Sequence, residues 1–123
     1  PFSPFAMNLR EQVDDLNNRI LQGDILGAFE DYYADDVVMI DAGQPPREGK
    51  DANRVYEEAF VGGLTEFRGA EVKAVGIDES AGKALVEWHF DFSHKDYGDQ
   101  TYDQVAVQTW KDGQIVEERF YKL

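Results

Sequence analysis

The feature that most constrains the fold is a change in hydrophobic spacing near residue 64. Before this point apolar residues recur every three or four positions, as in the segment 9–20, and this spacing produces one apolar face of a helix. After it they alternate with polar residues, as in the segment 84–92, which is the pattern of a strand. Helices followed by strands predict an α+β fold, in which the helices pack on an antiparallel sheet.

The spacing predicts three helices and five strands. The helices are expected over 8–22, from 24 to about 35, and around a stripe formed by Ala52, Val55, Tyr56, Ala59 and Phe60. The strands are expected over 37–41, 65–78, 84–92, 101–110 and 115–121, with a bend at Gly69. A small curved sheet over three helices should enclose a conical cavity, and Val86, Trp88 and Phe90 are expected on its wall.

Composition limits the classes of function that the chain can have. Its 123 residues fit a single domain over 1–123, and the absence of cysteine excludes disulfides and thiolate chemistry. The net charge of -13 disfavours binding to nucleic acid or to a membrane surface. The first residues show no signal-peptide pattern, and no apolar run reaches the ~20 residues of a membrane span, so a cytoplasmic location is expected.

The segment 33–49, YADDVVMIDAGQPPREG, contains the main candidate for chemistry. Asp35 and Asp36 are expected to end the second helix in solvent. Asp41 follows an apolar run and shares its strand face with Val37 and Met39. It is either a turn residue that binds its own backbone or a working carboxylate that faces the cavity.

Several motifs resemble the nuclear transport factor 2-like superfamily, in its ketosteroid isomerase and SnoaL-like polyketide cyclase branch. They are Gly23-Asp24-Ile25, YADD at 33–36, Asp41, GQPP at 43–46, Gly49 and the closing WKDGQIVEERFY. The resemblance implies a conical fold with three helices on a curved sheet, a small hydrophobic carbonyl ligand, no cofactor and a homodimer. It also implies that Asp41 is the base of an isomerase, cyclase or dehydratase, with its pKa raised by a partly apolar pocket. A non-catalytic ligand-binding or dimerisation module is the alternative.

The chain departs from this branch at the donors that stabilise an enolate oxygen. Leu16 stands where the family has a phenol, and Ala106 stands where it has a protonated acid. The loss of one such donor typically slows a reaction by ~10²–10³. Steroid isomerisation is therefore not expected.

Further pocket residues are predicted from strand and helix parity. Gln108 lies either in the cavity or on an exposed face, and Glu118 is either a second cavity carboxylate or exposed. Trp88 and Phe90 are either pocket lining or plain core. His89 and Asp91 point the same way on one strand, but two ligands do not make a metal site, so no metal is expected. The other predicted lining residues are Tyr33, Met39, Tyr56, Phe60 and Phe120.

Overall fold

A computed structural model describes residues 6–123. Residues 1–5, the start of the stretch without a signal-peptide pattern, lie outside the described part. Three helices and six strands follow one another in the predicted order, with one short strand added. Among the described residues, no helix has the length and apolarity needed to cross a membrane.

The helices are α1 (Leu9–Leu21), α2 (Ile25–Tyr32) and α3 (Lys50–Gly63). A reciprocal pair of hydrogen bonds fixes the start of α1. The Glu11 backbone N–H donates to the Asn8 side chain at 2.8 Å, and the Asn8 backbone N–H donates to the Glu11 carboxylate at 3.2 Å. This capping box satisfies two backbone groups that a helix end otherwise leaves unpaired.

The strands form one sheet in the order β2-β1-β6-β5-β4-β3. Only β1 and β6 pair in parallel, and the other neighbours are antiparallel. The bounds are β1 Tyr33–Asp41, β2 Arg47–Glu48, β3 Leu64–Asp78, β4 Lys83–His94, β5 Gly98–Lys111 and β6 Gln114–Lys122.

The sheet bends most clearly along β3. Its pairing with β4 shifts register at three places, and one of them lies between Phe67 and Gly69, which confirms the predicted bend. Each shift is an irregularity that increases local twist and curvature. The sheet therefore curls around the helices and leaves a space between the two layers.

The core fills the closed end of this space. Val13, Tyr32, Val37 and Ile115 are fully buried there. Val86, predicted on the cavity wall, is also fully buried and belongs to this core. It pairs across the sheet with Val75 and Ala106, and the cavity wall begins two residues further along β4, at Trp88.

Two predicted boundaries were wrong in the first half of the chain. The second helix ends at Tyr32, so Asp35 and Asp36 lie in β1, although both are exposed as expected. β1 starts at Tyr33 because it pairs in parallel with β6, a contact more than 80 residues away that local spacing does not reveal. The added strand β2 has two residues and pairs with Val38 and Met39.

The apolar stripe predicted for α3 marks its inner face only in part, at Tyr56 and Phe60. Val55 is 69% exposed, and Asn53, fully buried, lies on the inner side together with Tyr56, Glu57 and Phe60. α3 covers an open cavity rather than a filled core. The inner face of α3 therefore carries polar side chains as well: Asn53 is satisfied by hydrogen bonds with Arg47 and Gly49, and Glu57 faces the cavity.

Candidate functional site

The space between helices and sheet is a cavity of about 750 Å³. This size suits a small organic molecule. All predicted site residues except Val86 line it: Leu16, Tyr33, Met39, Asp41, Tyr56, Phe60, Trp88, Phe90, Ala106, Gln108, Glu118 and Phe120. The fold thus brings together residues that are up to 104 positions apart in the sequence, from Leu16 to Phe120.

Aromatic rings form the apolar wall. Trp88 and Phe90 stack with centroids 5.1 Å apart, and Phe60 meets Phe92 edge-on at 5.4 Å. Tyr102, on the neighbouring strand, lies 5.8 Å from Phe90. Trp88 and Phe90 therefore belong to the lining, and they offer flat surfaces to an apolar ligand.

Asp41 lies on the cavity wall at the end of β1, and its side chain is 37% exposed. Arg47 Nη1 donates to Asp41 Oδ2 at 2.7 Å, so the guanidinium compensates the charge of the carboxylate. Arg47 also stacks on the Tyr56 ring at 3.7 Å, and its Nε donates to Asn53 Oδ1 at 3.2 Å. Asp41 is thus half-buried and held in place, rather than deeply buried as expected.

A buried chain of hydrogen bonds runs through Glu118. The Tyr33 hydroxyl donates to Glu118 Oε1, and Gln108 Nε2 donates to Glu118 Oε2 at 2.8 Å. Trp110 Nε1 in turn donates to Gln108 Oε1 at 2.9 Å, which fixes the orientation of the Gln108 amide. Glu118 is only 3% exposed and Gln108 only 2%, so both lie inside rather than on an exposed face.

The Glu118 carboxyl group has a raised pKa. Burial raises the pKa of Glu118 to about 7, while the hydrogen bonds from Tyr33 and Gln108 act in the opposite direction. Burial, and then the charge of Glu118, raises the pKa of Tyr33 well above its ordinary value. Near neutral pH, Glu118 therefore exists partly as a neutral acid, and the Tyr33 hydroxyl keeps its proton.

Glu57 is a second acid with a raised pKa. Burial, and then the charge of Glu118, raises its pKa to about 7. It projects from α3 toward the same cavity. Asp41, Glu57 and Glu118 thus surround one space, and the charge of Asp41 helps to raise the pKa of the other two.

Comparison with known proteins identifies the family of this chain. A family model described as the SnoaL-like domain matches residues 13–118. The chain belongs to the SnoaL-like domain family. It has the conical α+β fold of the nuclear transport factor 2-like superfamily, as the resemblance implied.

Solved structures with the same fold include proteins of several kinds. A proposed SnoaL-like polyketide cyclase from Mesorhizobium loti is 31% identical, with a TM-score of 0.81 over 94% of this chain and 99% of that one. A proposed isomerase from Bacillus subtilis is 19% identical, with a TM-score of 0.78 over 95% and 90%. SalBIII, an epoxide hydrolase/cyclase-like enzyme with a role in pyran ring formation in the polyether salinomycin, is 17% identical, with a TM-score of 0.76 over 94% and 90%. No protein with a curated description matches the chain.

The two positions where this SnoaL-like domain lacks donors both face the cavity. Leu16 and Ala106 are almost fully buried and lie on its wall. Neither side chain can donate a hydrogen bond. The Tyr33 hydroxyl, on the same cavity wall, does carry a donor, which is directed to Glu118.

His89 and Asp91, which were considered as metal ligands, do not line the cavity. His89 faces the outer side of the sheet, where its Nδ1 lies 2.7 Å from Asp103 Oδ1. Asp91 accepts from Arg68 Nε at 2.8 Å. Within residues 6–123, no group of three His, Asp or Glu side chains is arranged to hold a metal ion.

Sequence reasoning missed Glu57 and Arg47. Glu57 was missed because a charged residue does not add to an apolar pattern, although it lies three positions before Phe60 and shares that residue's face. Arg47 could have been identified from the sequence. It lies six residues after Asp41, across the Gly-Gln-Pro-Pro turn, and opposite charges on either side of a tight turn indicate an ion pair.

Proposed function

We propose that the chain is a cofactor-independent acid/base enzyme that acts on a small hydrophobic carbonyl compound. The reaction is an isomerisation, cyclisation or dehydration. The observation that carries the proposal is the phenol–acid pair Tyr33–Glu118, which lines the same cavity as Asp41. This pair offers the kinds of donor, a phenol and a neutral acid, that Leu16 and Ala106 cannot supply.

Asp41 is the proposed base. Its carboxylate takes a proton from the carbon beside the ligand carbonyl. The electron pair of that C–H bond forms a double bond to the carbonyl carbon, and the π pair of the C=O bond moves onto the oxygen, which gives an enolate. In an isomerisation, Asp41 then returns the proton to another carbon, so no other reactant is consumed. Asp41 is diagonal to Glu118 on neighbouring strands, because Met39 pairs with Glu118 and Asp41 with Phe120. Strand geometry gives a Cα separation of about 8 Å, and both side chains line the cavity in which the ligand would bind.

Tyr33 is the proposed donor to the enolate oxygen. While Glu118 is ionised, the Tyr33 proton is engaged with it. When Glu118 binds a proton, it can donate to the phenolic oxygen, and the Tyr33 proton then becomes available to the cavity. Removing one oxyanion donor costs about 10²–10³ in rate, so this contact carries much of the expected rate enhancement.

The deciding experiment begins with a thermal-shift screen of steroids, polyketide-like aromatic compounds and lactones. Each ketone that stabilises the protein is then incubated in D₂O, and deuterium uptake at the carbon beside the carbonyl is followed by NMR. We expect Asp41→Asn to bind the ketone but to exchange at least about 10²-fold more slowly. Glu117→Gln, at a partly exposed glutamate paired with Arg119, is the matched control and should exchange like wild type.

A non-catalytic binding module is the second candidate. The ion pair between Asp41 and Arg47 favours it, since Arg47 already occupies one oxygen of the carboxylate that would have to contact the ligand. This candidate predicts ligand binding with no deuterium uptake above the uncatalysed rate in either wild type or Asp41→Asn.

We also propose that two copies pair through the outer face of the sheet. Leu85 and Tyr121 are 45% and 41% exposed on that face. Val105 pairs with Tyr121, and Val107 pairs with Leu85, so the four side chains form one apolar strip. Covering this strip would remove apolar surface from water.

A further inference from the structure

We propose that Glu57 gives a proton to a leaving oxygen of the ligand, so that the ligand is a β-hydroxy ketone and the reaction is its dehydration. The inference deepens the proposed function and rests on it. It selects dehydration from the three proposed reaction types, and it assigns a catalytic role to a side chain that enolate formation by Asp41 does not use.

Glu57 is the acid on the cavity wall that the fold leaves without a partner. The acidic side chains that line the cavity are Asp41, Glu57 and Glu118. Asp41 accepts from Arg47, and Glu118 accepts from the Tyr33 hydroxyl. Among residues 6–123, Glu57 has neither a hydrogen bond nor an ion pair. Its carboxyl group is therefore free to bind a ligand.

The unpaired carboxyl group of Glu57 is also accessible. The residue is half-buried and lines the cavity. Its oxygens are not among the side-chain atoms that are both sealed from water and without a partner. Because they have no partner, they must retain accessible surface. A ligand in the cavity can thus reach them.

Glu57 approaches the cavity from the helix layer, whereas Asp41 and Glu118 approach it from the sheet. Asn53, one turn earlier on the same face of α3, accepts from Arg47, which also binds Asp41. These hydrogen bonds tie α3 to the end of β1. The charges of Glu118, Arg47 and Asp41 accordingly act on Glu57. A ligand between the two layers therefore has Asp41 on its sheet side and Glu57 on its helix side.

The raised pKa of Glu57, about 7, suits a proton donor. Burial is the main cause, the charges of Glu118 and Asp41 add to it, and Arg47 opposes it. An acid that titrates near the operating pH can give up its proton during the reaction and regain one from water afterwards. A glutamine at this position would fill similar space without a charge, so stability does not explain the carboxyl group.

Dehydration uses Asp41 and Glu57 together. Asp41 takes the proton from the carbon between the carbonyl and the C–OH group, which gives the enolate. The enolate oxygen re-forms the C=O bond, and the enolate double-bond pair forms a new C=C bond to the carbon that carries the hydroxyl. The C–O bond breaks with its pair on oxygen, which takes the Glu57 proton and leaves as water. Asp41 then releases its proton to solvent and Glu57 regains one, so no other reactant is consumed.

The test follows 4-hydroxy-4-phenylbutan-2-one in D₂O at neutral pH by NMR. The enolate of this ketone either takes up a deuteron at the carbon beside the C–OH group or expels the hydroxyl and becomes 4-phenylbut-3-en-2-one. We expect wild type to form the enone. In Glu57→Gln the ratio of enone formation to deuterium uptake should fall at least about 10²-fold, the typical effect of a positioned general acid.

Two variants control for other causes. Asp41→Asn should slow enone formation and deuterium uptake together, because both pass through the enolate. Glu58→Gln, at the adjacent exposed glutamate of α3, is the matched control and should keep the wild-type ratio. A purely structural role of Glu57 would lower both rates and leave their ratio unchanged.

The outcomes separate this inference from the proposed function. Deuterium uptake without enone in wild type, or an unchanged ratio in Glu57→Gln, overturns the role of Glu57 and leaves the proposed function standing. A wild type that shows neither process overturns both. Unfolding temperatures at pH 7.5 add a check without ligand. Glu57→Gln should unfold at or above the wild-type temperature, and a lower value would mean that Glu57 supports the fold and would overturn the inference.

Discussion

Replacing Glu118 by glutamine should make the protein more stable at neutral pH, even though it removes a hydrogen-bonded side chain from the interior. Glutamine has nearly the same shape and no charge. Its oxygen can accept from Gln108, and its NH₂ group can donate to the Tyr33 oxygen. The variant therefore imitates the protonated state of Glu118.

The magnitude follows from the raised pKa. Burial moves the pKa of Glu118 from 4.5 to about 7. The folded protein thus binds a proton more tightly than the unfolded chain does, and the resulting stabilisation is complete below pH 4.5 and lost as pH rises toward 7. Over this interval wild type should lose about 3 kcal/mol of unfolding free energy through this one group, at about 1.4 kcal/mol per pH unit.

The assay is urea unfolding followed by circular dichroism at pH 4.5, 5.5, 6.5 and 7.5. The advantage of Glu118→Gln over wild type should grow by about 3 kcal/mol across this range. Glu117→Gln, next to it on β6, controls for the loss of one carboxylate. A constant difference between Glu118→Gln and wild type at all four pH values would refute the reasoning.

Two further predictions concern packing and assembly. A methyl group at Gly63 would lie 2.2 Å from Nε2 of the buried His94. Gly63→Ala should therefore lower the free energy of unfolding by about 1–3 kcal/mol, measured by urea unfolding. Gly62→Ala is the control and should have a much smaller effect, because a methyl group there meets nothing within 4 Å. Equal losses in the two variants would contradict this packing argument. In sedimentation at micromolar concentration, wild type should appear at about twice the chain mass of 14.0 kDa, and Val107→Lys should return it to the monomer; a wild-type monomer would exclude the proposed dimer.

The fold could be predicted from sequence to the extent that it depends on local periodicity. Apolar spacing identified the three helices, and alternation placed Trp88 on the inner face of its strand. β1 was predicted four residues too short because its pairing with β6 depends on residues far along the chain. A local pattern contains no information on such a pairing.

The site was less predictable because burial depends on curvature. Alternation left Glu118 either inside or exposed. It is buried because β6 is a central strand between β1 and β5 and because the side chain points into the cavity. On α3, Glu57 faces the cavity while Val55 faces away from it, because this helix covers an open space and not a filled core.

The most direct test of the central claim is the pH dependence of ketone deuterium exchange. If the Tyr33 proton becomes available only when Glu118 is protonated, the wild-type rate constant should fall about tenfold per pH unit above pH 7. Glu118→Gln should show no such fall up to pH 9, and Glu57→Gln, which removes the other acid that titrates near 7, should retain it. A wild-type rate constant that stays level from pH 6 to pH 9, or that falls in Glu118→Gln as it does in wild type, would contradict the role of the Tyr33–Glu118 pair.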